Sequence, residues 1–288
     1  MYLFGIIELL SHIQIYNMNA FLENLFTSVA FWWAVKTKWM LQQDLIDHTK
    51  WYEDRSFRFI FWRRNWINNT MVDLWEWPTD QYVFPSSPMQ MKVVSTSSND
   101  TTAWTGARKI RVDWLDENYN LHVDEISLNW TTPVNFAFTN MFRINYAHVM
   151  ELGTSASAQW DISITDMAWT VTYCIIKSWN NTARQAIWTV PSWFTWYVSH
   201  WQSSSWSMTW NHFTQMTMKS TAIQWVKYAW VFLLVDETWT SDNWISITFP
   251  IPIRIPEKID FKMTAVSDSA SANVTWLGAV MGWFELNP

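Results

Sequence analysis

Glycine is nearly missing from this chain. Its 288 residues contain 5 Gly, whereas average usage near 7% would give about 20. Cysteine is reduced to Cys174 alone, which excludes an internal disulfide framework and a Cys-based zinc site. Flanked by Tyr173, Ile175 and Ile176, that thiol reads as a small buried hydrophobe. Charged residues make up only 15%, below the usual quarter. Ser, Thr and Asn take their place, which suits a β-rich extracellular or particle surface better than a cytosolic enzyme. The net charge of −6 argues against nucleic acid as a partner, since that needs a clustered basic face. Arg55, Arg58, Arg63 and Arg64 form the one short basic cluster, read as a solvated loop or docking arm.

Catalytic signatures are also missing. There is no glycine-rich phosphate loop, no H-E-x-x-H among the six histidines and no G-x-S-x-G elbow. Asp113, Asp116 and Glu117 gather carboxylates in one turn, and Asp236, Glu237 and Asp242 in another. Neither spacing matches an EF-hand loop. No catalytic, cofactor-binding or metal-ligating residue is therefore assigned, and the chain is expected not to be an enzyme.

What the sequence has in excess is tryptophan, 26 residues of it. Many sit where a chain turns, the places that usually demand glycine: Arg64-Asn65-Trp66, Trp104, Trp114, Asn129-Trp130, Ser178-Trp179-Asn180, Pro191-Ser192-Trp193, Ser205-Trp206-Ser207, Thr238-Trp239-Thr240 and Asn243-Trp244. An Asn-Gly pair makes a hairpin because both residues tolerate positive φ, and a bulky residue there is an outlier. Two readings stand open. Many tryptophans occupy glycine codon positions, as when a genome reads UGA as glycine and the gene is translated with UGA as tryptophan. Alternatively the indoles are genuine and serve packing or sugar stacking, with Trp193, Trp196, Trp201, Trp206 and Trp210 crowding one region. Trp51, Trp75 and Trp283 look genuine in context.

Along the chain, residues 1–50 read as a helical N-terminal segment, with Phe21, Leu22, Leu25 and Phe26 at helical spacing and a second piece from Lys38 to His48. Glu8, His12, Glu23 and several Asn interrupt it, so no membrane span is expected. No basic region precedes its first apolar block, so it does not read as a signal peptide. Met18 is an alternative start. Residues 51–100 read as an extended arm, with Pro78, Pro85 and Pro88 marking a connector.

Residues 101–180 read as a first β-sandwich domain. Ile110, Val112 and Trp114 alternate with Arg111 and Asp113, and Asp116–Asn120 suits a hairpin. Leu121 and Val123 occupy one parity and Ile126 and Leu128 the other, which predicts a β-bulge near Asp124-Glu125. Residues 181–288 read as a second, jelly-roll-like sandwich. Its strand candidates are Ala186–Val190, Phe194–Ser199, His212–Ser220, Tyr228–Asp236, Ile245–Ile255, Ile259–Val266 and Ala272–Leu286. Pro191-Ser192-Trp193 reads as a turn with proline second, and Pro250, Pro252 and Pro256 confine their segment to a sheet edge.

With glycine read at the suspect positions, Ala103 to Asn120 and Ser127 to Val134 resemble a family of virion structural proteins from tailed bacteriophages, common among marine phages. The likeness extends to Phe61–Trp66, Asp73-Leu74-Trp75, Phe142–Asn145, Ile187–Pro191 and Pro252–Lys258. The strand and turn pattern makes the fold all-β, and the resemblance implies a virion component, in a capsid decoration or tail position and without enzymatic activity. It would act by assembly with other virion proteins and as a homo-oligomer, expected to be a trimer. The alternative function is a carbohydrate-binding receptor module of a phage tail or cell surface.

Overall fold

Alternation of apolar and polar residues dominates the chain, and the computed structural model is correspondingly built of strands. It describes residues 55–287 except 77–78, 208–212, 224–225, 228–231, 241–243 and 271–273. The helical segment expected over residues 1–50 lies outside the described residues. The N-terminal strands are β1 (Arg55–Ile67), β2 (Val72–Asp73), β3 (Met91–Ser95), β4 (Ala107–Asp116), β5 (Leu121–Ser127) and β6 (Val134–Asn135). Next come β7 (Met141–Leu152), β8 (Ile162–Asp166), β9 (Thr172–Ile176), β10 (Ile187–Thr189), β11 (Phe194–Ser207) and β12 (Thr214–Ser220). The last six are β13 (Ala222–Ile223), β14 (Val226–Lys227), β15 (Leu233–Thr240), β16 (Trp244–Ile255), β17 (Asp260–Ser267) and β18 (Val274–Leu286). No helix occurs among the described residues, and every pairing is antiparallel.

One core lies between two sheets. The first has the order β1-β18-β11-β16, and the second β10-β17-β12-β15 with β2 added to β17. Ile60, Trp62, Trp276, Val280, Phe284, Trp196 and Trp201 from the first meet Trp188, Met216, Met218, Phe261 and Met263 from the second. Trp196 and Trp201 are an odd number of residues apart, yet both are buried. The reason is the register slip between Val198 and His200, which reverses the parity of β11. This core carries an unusual polar load, because the indole N–H groups of Trp62, Trp188, Trp196 and Trp276 are buried with no hydrogen-bond partner.

The second core is formed by the sheets β6-β3-β8-β9 and β5-β4-β7. It is lined by Met91, Val93, Ile110, Val112, Trp114, Ile144, Ile162, Ile164 and Cys174, with Trp75 and Tyr82 closing one side. Asp100 organises its turns. The buried carboxylate accepts the Ala107 and Gln159 amides through Oδ1, at 2.7 and 3.1 Å, and the Ser95 hydroxyl through Oδ2 at 2.7 Å.

Three expectations are corrected. Residues 55–67 are a 13-residue strand, where the sequence suggested an arm of little periodicity. The cause is that both faces carry apolar groups: Phe59 and Phe61 point outward while Ile60 and Trp62 point into the core. Second, β5 carries no bulge and pairs continuously with β4 from Lys109↔Ser127 to Leu115↔Leu121. Leu121 and Val123 face solvent because the inward parity is held by polar contacts instead. His122 stacks on Trp114 at 4.4 Å and bonds Asp116, while Asp124 accepts the Trp114 indole N–H at 3.1 Å. The irregularities fall on the other side of β4, against β7. Third, Pro191 is the first residue of its turn, not the second, since the Phe194 amide bonds the Pro191 carbonyl at 3.4 Å. The proline segment of β16 does lie at a sheet edge.

Candidate functional site: an apolar edge and a polar cleft

Two surfaces stand out, and both involve β1. This strand begins the first sheet and, among the described residues, pairs only with β18. Successive outward positions on β1 carry Phe59 and Phe61, whose rings lie parallel with centroids 5.9 Å apart. Leu277 stands opposite Arg63 on β18, one diagonal step from Phe61. Phe61 and Leu277 are 55% and 53% exposed. Further along the same face Tyr197 stacks on Trp283 at 5.4 Å. The result is an apolar strip along a long edge, the feature that sheet proteins ordinarily blunt with charge, proline or bulges. The opposite edge is blunted in that way: β16 carries Pro250 and Pro252 where its pairing with β11 slips.

The second surface is a cleft of about 730 Å³ at the far end of β1, where Arg63, Arg64 and Trp66 face Glu76, Lys177 and Trp179. Arg64 is buried and donates to Asp80 Oδ1 at 2.9 Å and to the Thr79 carbonyl at 3.0 Å. Burial lowers the pKa of its guanidinium, against the opposing pull of Asp80 and Asp73. Burial likewise raises the Glu76 carboxyl, although Arg184, Arg63 and Lys177 act in the other direction. Asn180 donates to Glu76 at 3.2 Å, and Lys177 pairs with Asp161. The cleft is thus lined by planar polar groups and by the two exposed indoles of Trp66 and Trp179.

The basic cluster seen in the sequence is dispersed by the fold. Arg58 reaches Asp113 at 3.6 Å, Arg63 bonds Asn65, and Arg64 turns inward to Asp80. The acidic turns are likewise used internally. Asp113 also faces Arg111, Asp116 accepts the Asn118 and Asn120 amides, and Asp236 accepts the Trp201 indole N–H at 3.0 Å. No group of three or more potential metal ligands occurs among the described residues. Cys174 is buried as expected, and burial pushes its thiol up to about 12.

Of the tryptophan group read as a stacking surface, two of the three described side chains are buried. Trp196 and Trp201 are core residues, Trp193 is an exposed turn residue, Trp206 belongs to β11 and Trp210 lies outside the described residues. The juxtaposition of Trp66 and Trp179 across the cleft was not visible in the sequence, where the two segments lie over a hundred residues apart.

No protein-family model matches this chain, and no curated protein matches it. Among solved structures, it is similar to a subviral particle of infectious bursal disease virus VP2, at 9% identity and a TM-score of 0.22. That match covers 82% of this chain and 72% of the other. The Gt strain of the same virus gives 8% identity and a TM-score of 0.19, over 81% and 73% of the two chains. Likeness at this level carries no argument about fold or function. No helix among the described residues is long and apolar enough to cross a membrane.

Proposed function

We propose that this chain is a non-enzymatic structural subunit of a bacteriophage virion, in a capsid decoration or tail position, that works by assembly. Its partners are further copies of itself, arranged as a trimer, and neighbouring virion subunits. The two cores are read as two sandwich-like domains, the C-terminal one over residues 181–288 resembling a jelly roll. The observation that carries the proposal is the apolar strip of Phe61 and Leu277 on the outward face of β1 and β18. A second copy that covers this strip removes apolar surface from water at roughly 25 cal/mol per Å². Light scattering on the purified full chain tests it. The unsubstituted chain is expected to form a discrete oligomer that Phe61→Asp and Leu277→Asp convert to a monomer that still unfolds cooperatively. A chain that stays monomeric at high concentration overturns the assembly reading.

A second reading is carbohydrate binding, favoured by the cleft between Trp66 and Trp179. Aromatic faces beside Asn, Arg and Glu side chains fit the apolar faces and hydroxyls of a sugar. Glycan-array binding that disappears in Trp66→Ala and Trp179→Ala variants would support it.

A further inference from the structure

Seven non-glycine residues among those described have left-handed backbone, and five are tryptophan: Trp66, Trp130, Trp169, Trp179 and Trp193, with φ between 56 and 69°. Tryptophan makes up 26 of 288 residues, so chance would place it at about one such position in eleven. No described glycine has positive φ. In this chain tryptophan holds the conformations that glycine holds elsewhere.

The local geometry at each site requires that conformation. Trp66 sits at the register slip between Arg64 and Ile67, where β1 bulges away from β18. Trp179 and Trp193 are each the third residue of a four-residue turn, closed by Asn180 N–H to Lys177 C=O and by Phe194 N–H to Pro191 C=O. A positive φ at that position is the role of glycine in a type II turn. Trp169 donates its amide to the Asp166 carbonyl at the β8–β9 connection, and Trp130 donates to Asp100 beside the Asn129–Thr132 turn. Left-handed backbone is penalised by the Cβ of any L residue and is an outlier for a bulky one. Packing offsets little of the penalty, because the five residues are 71, 49, 51, 72 and 65% exposed in chain order, although the Lys92 ammonium lies 3.7 Å from the Trp169 ring centre.

We infer that the polypeptide made in its natural host carries glycine at positions 66, 130, 169, 179 and 193, through a codon that the host reads as glycine. UGA meets that requirement, being tryptophan under one code and glycine under another. The inference does not extend to every tryptophan. Trp114 has ordinary φ, is fully buried, stacks on His122 and donates to Asp124, and Trp104 also has ordinary φ. Glycine at 66 and 179 removes both indoles from the cleft, so the carbohydrate reading loses its aromatic platforms. The assembly strip of Phe61 and Leu277 is untouched, which makes failure of this inference distinguishable from failure of the assembly proposal.

Tandem mass spectrometry of peptides from protein isolated from its natural source provides the test. Glycine residue masses at the five positions are expected, and tryptophan at all five overturns the inference. A second measurement uses recombinant protein. Trp130→Gly, Trp169→Gly and Trp179→Gly should each raise Tm by roughly 2–4 °C, the shift that relief of modest strain produces in a domain of this size. The buried control Trp75→Gly should lower it. A fall in Tm in all three turn variants contradicts the claim that these positions are built for glycine.

Discussion

Arg143 and Asp260, 117 residues apart in sequence, form a buried two-point ion pair. Nε donates to Oδ1 at 2.9 Å and Nη2 to Oδ2 at 3.0 Å. The pair joins β7 of one core to β17 of the other. Arg143 Nη1 also donates to the Pro85 and Phe142 carbonyls, and the Thr189 hydroxyl donates to Asp260 Oδ1 at 2.6 Å. Removing one partner leaves a buried charge without its counter-ion, at a cost of about 3–5 kcal/mol. Arg143→Met and Asp260→Leu should each show that loss in chemical denaturation. The double variant should lose clearly less than the sum of the two, because neither charge is then left alone.

Asp100 makes a separate prediction. Asp100→Ala deprives the Ala107 and Gln159 amides and the Ser95 hydroxyl of their acceptor. Each buried donor left unmet costs about 1–3 kcal/mol. The expected outcome is a loss of about 3 kcal/mol or more. Hydrogen exchange should speed up most in the turns around residues 97–107 and 155–160.

Acid should act through the hairpin carboxylates. For Asp116, burial works to raise the pKa, but hydrogen bonds from His122, Asn120 and Asn118 outweigh it and hold the carboxyl below its ordinary 3.8. Asp166 is lowered in the same way by Thr170 and Val171. A pKa depressed in the folded state gives stability that is complete above the ordinary value. That stability is lost as pH falls through it toward the folded value. Thermal melts should therefore fall steeply below about pH 4, and Asp116→Asn should flatten that slope. A wild-type Tm independent of pH in this range would contradict the assignment.

Cys174 should be inert in the folded protein, since the thiolate is the reactive form and its pKa lies near 12. Thiol-labelling reagents at neutral pH should modify it only after unfolding. Rapid labelling under native conditions would show that the second core opens.

Much of the strand content was legible in the sequence. Residues 245–255 and 259–266 read as strands within a residue or two of β16 and β17, because Ile245 and Ile247, or Phe261 and Met263, keep strict alternation. The 55–67 strand was hidden because Phe59 and Ile60 are both apolar while pointing to opposite faces. Leu121 and Val123 misled because a hydrogen-bonded His122 and Asp124 occupy the inward side of β5. The surfaces were less legible still. Phe61 lies beside Leu277 through the β1–β18 pairing, and Trp66 and Trp179 line one cleft, although each pair is more than a hundred residues apart in sequence. Four of the five left-handed tryptophans stood in recognisable turn contexts. Trp169 escaped notice because Ala168-Trp169-Thr170 has no flanking Asn, Ser or Pro cue.

The central claim, that this chain is a repeated structural subunit of a virion, is tested most directly by cryo-electron microscopy of the native particle. The account predicts repeated density fitting residues 55–287, with Phe61 and Leu277 covered by a neighbouring copy. A particle from which the chain is absent would contradict it.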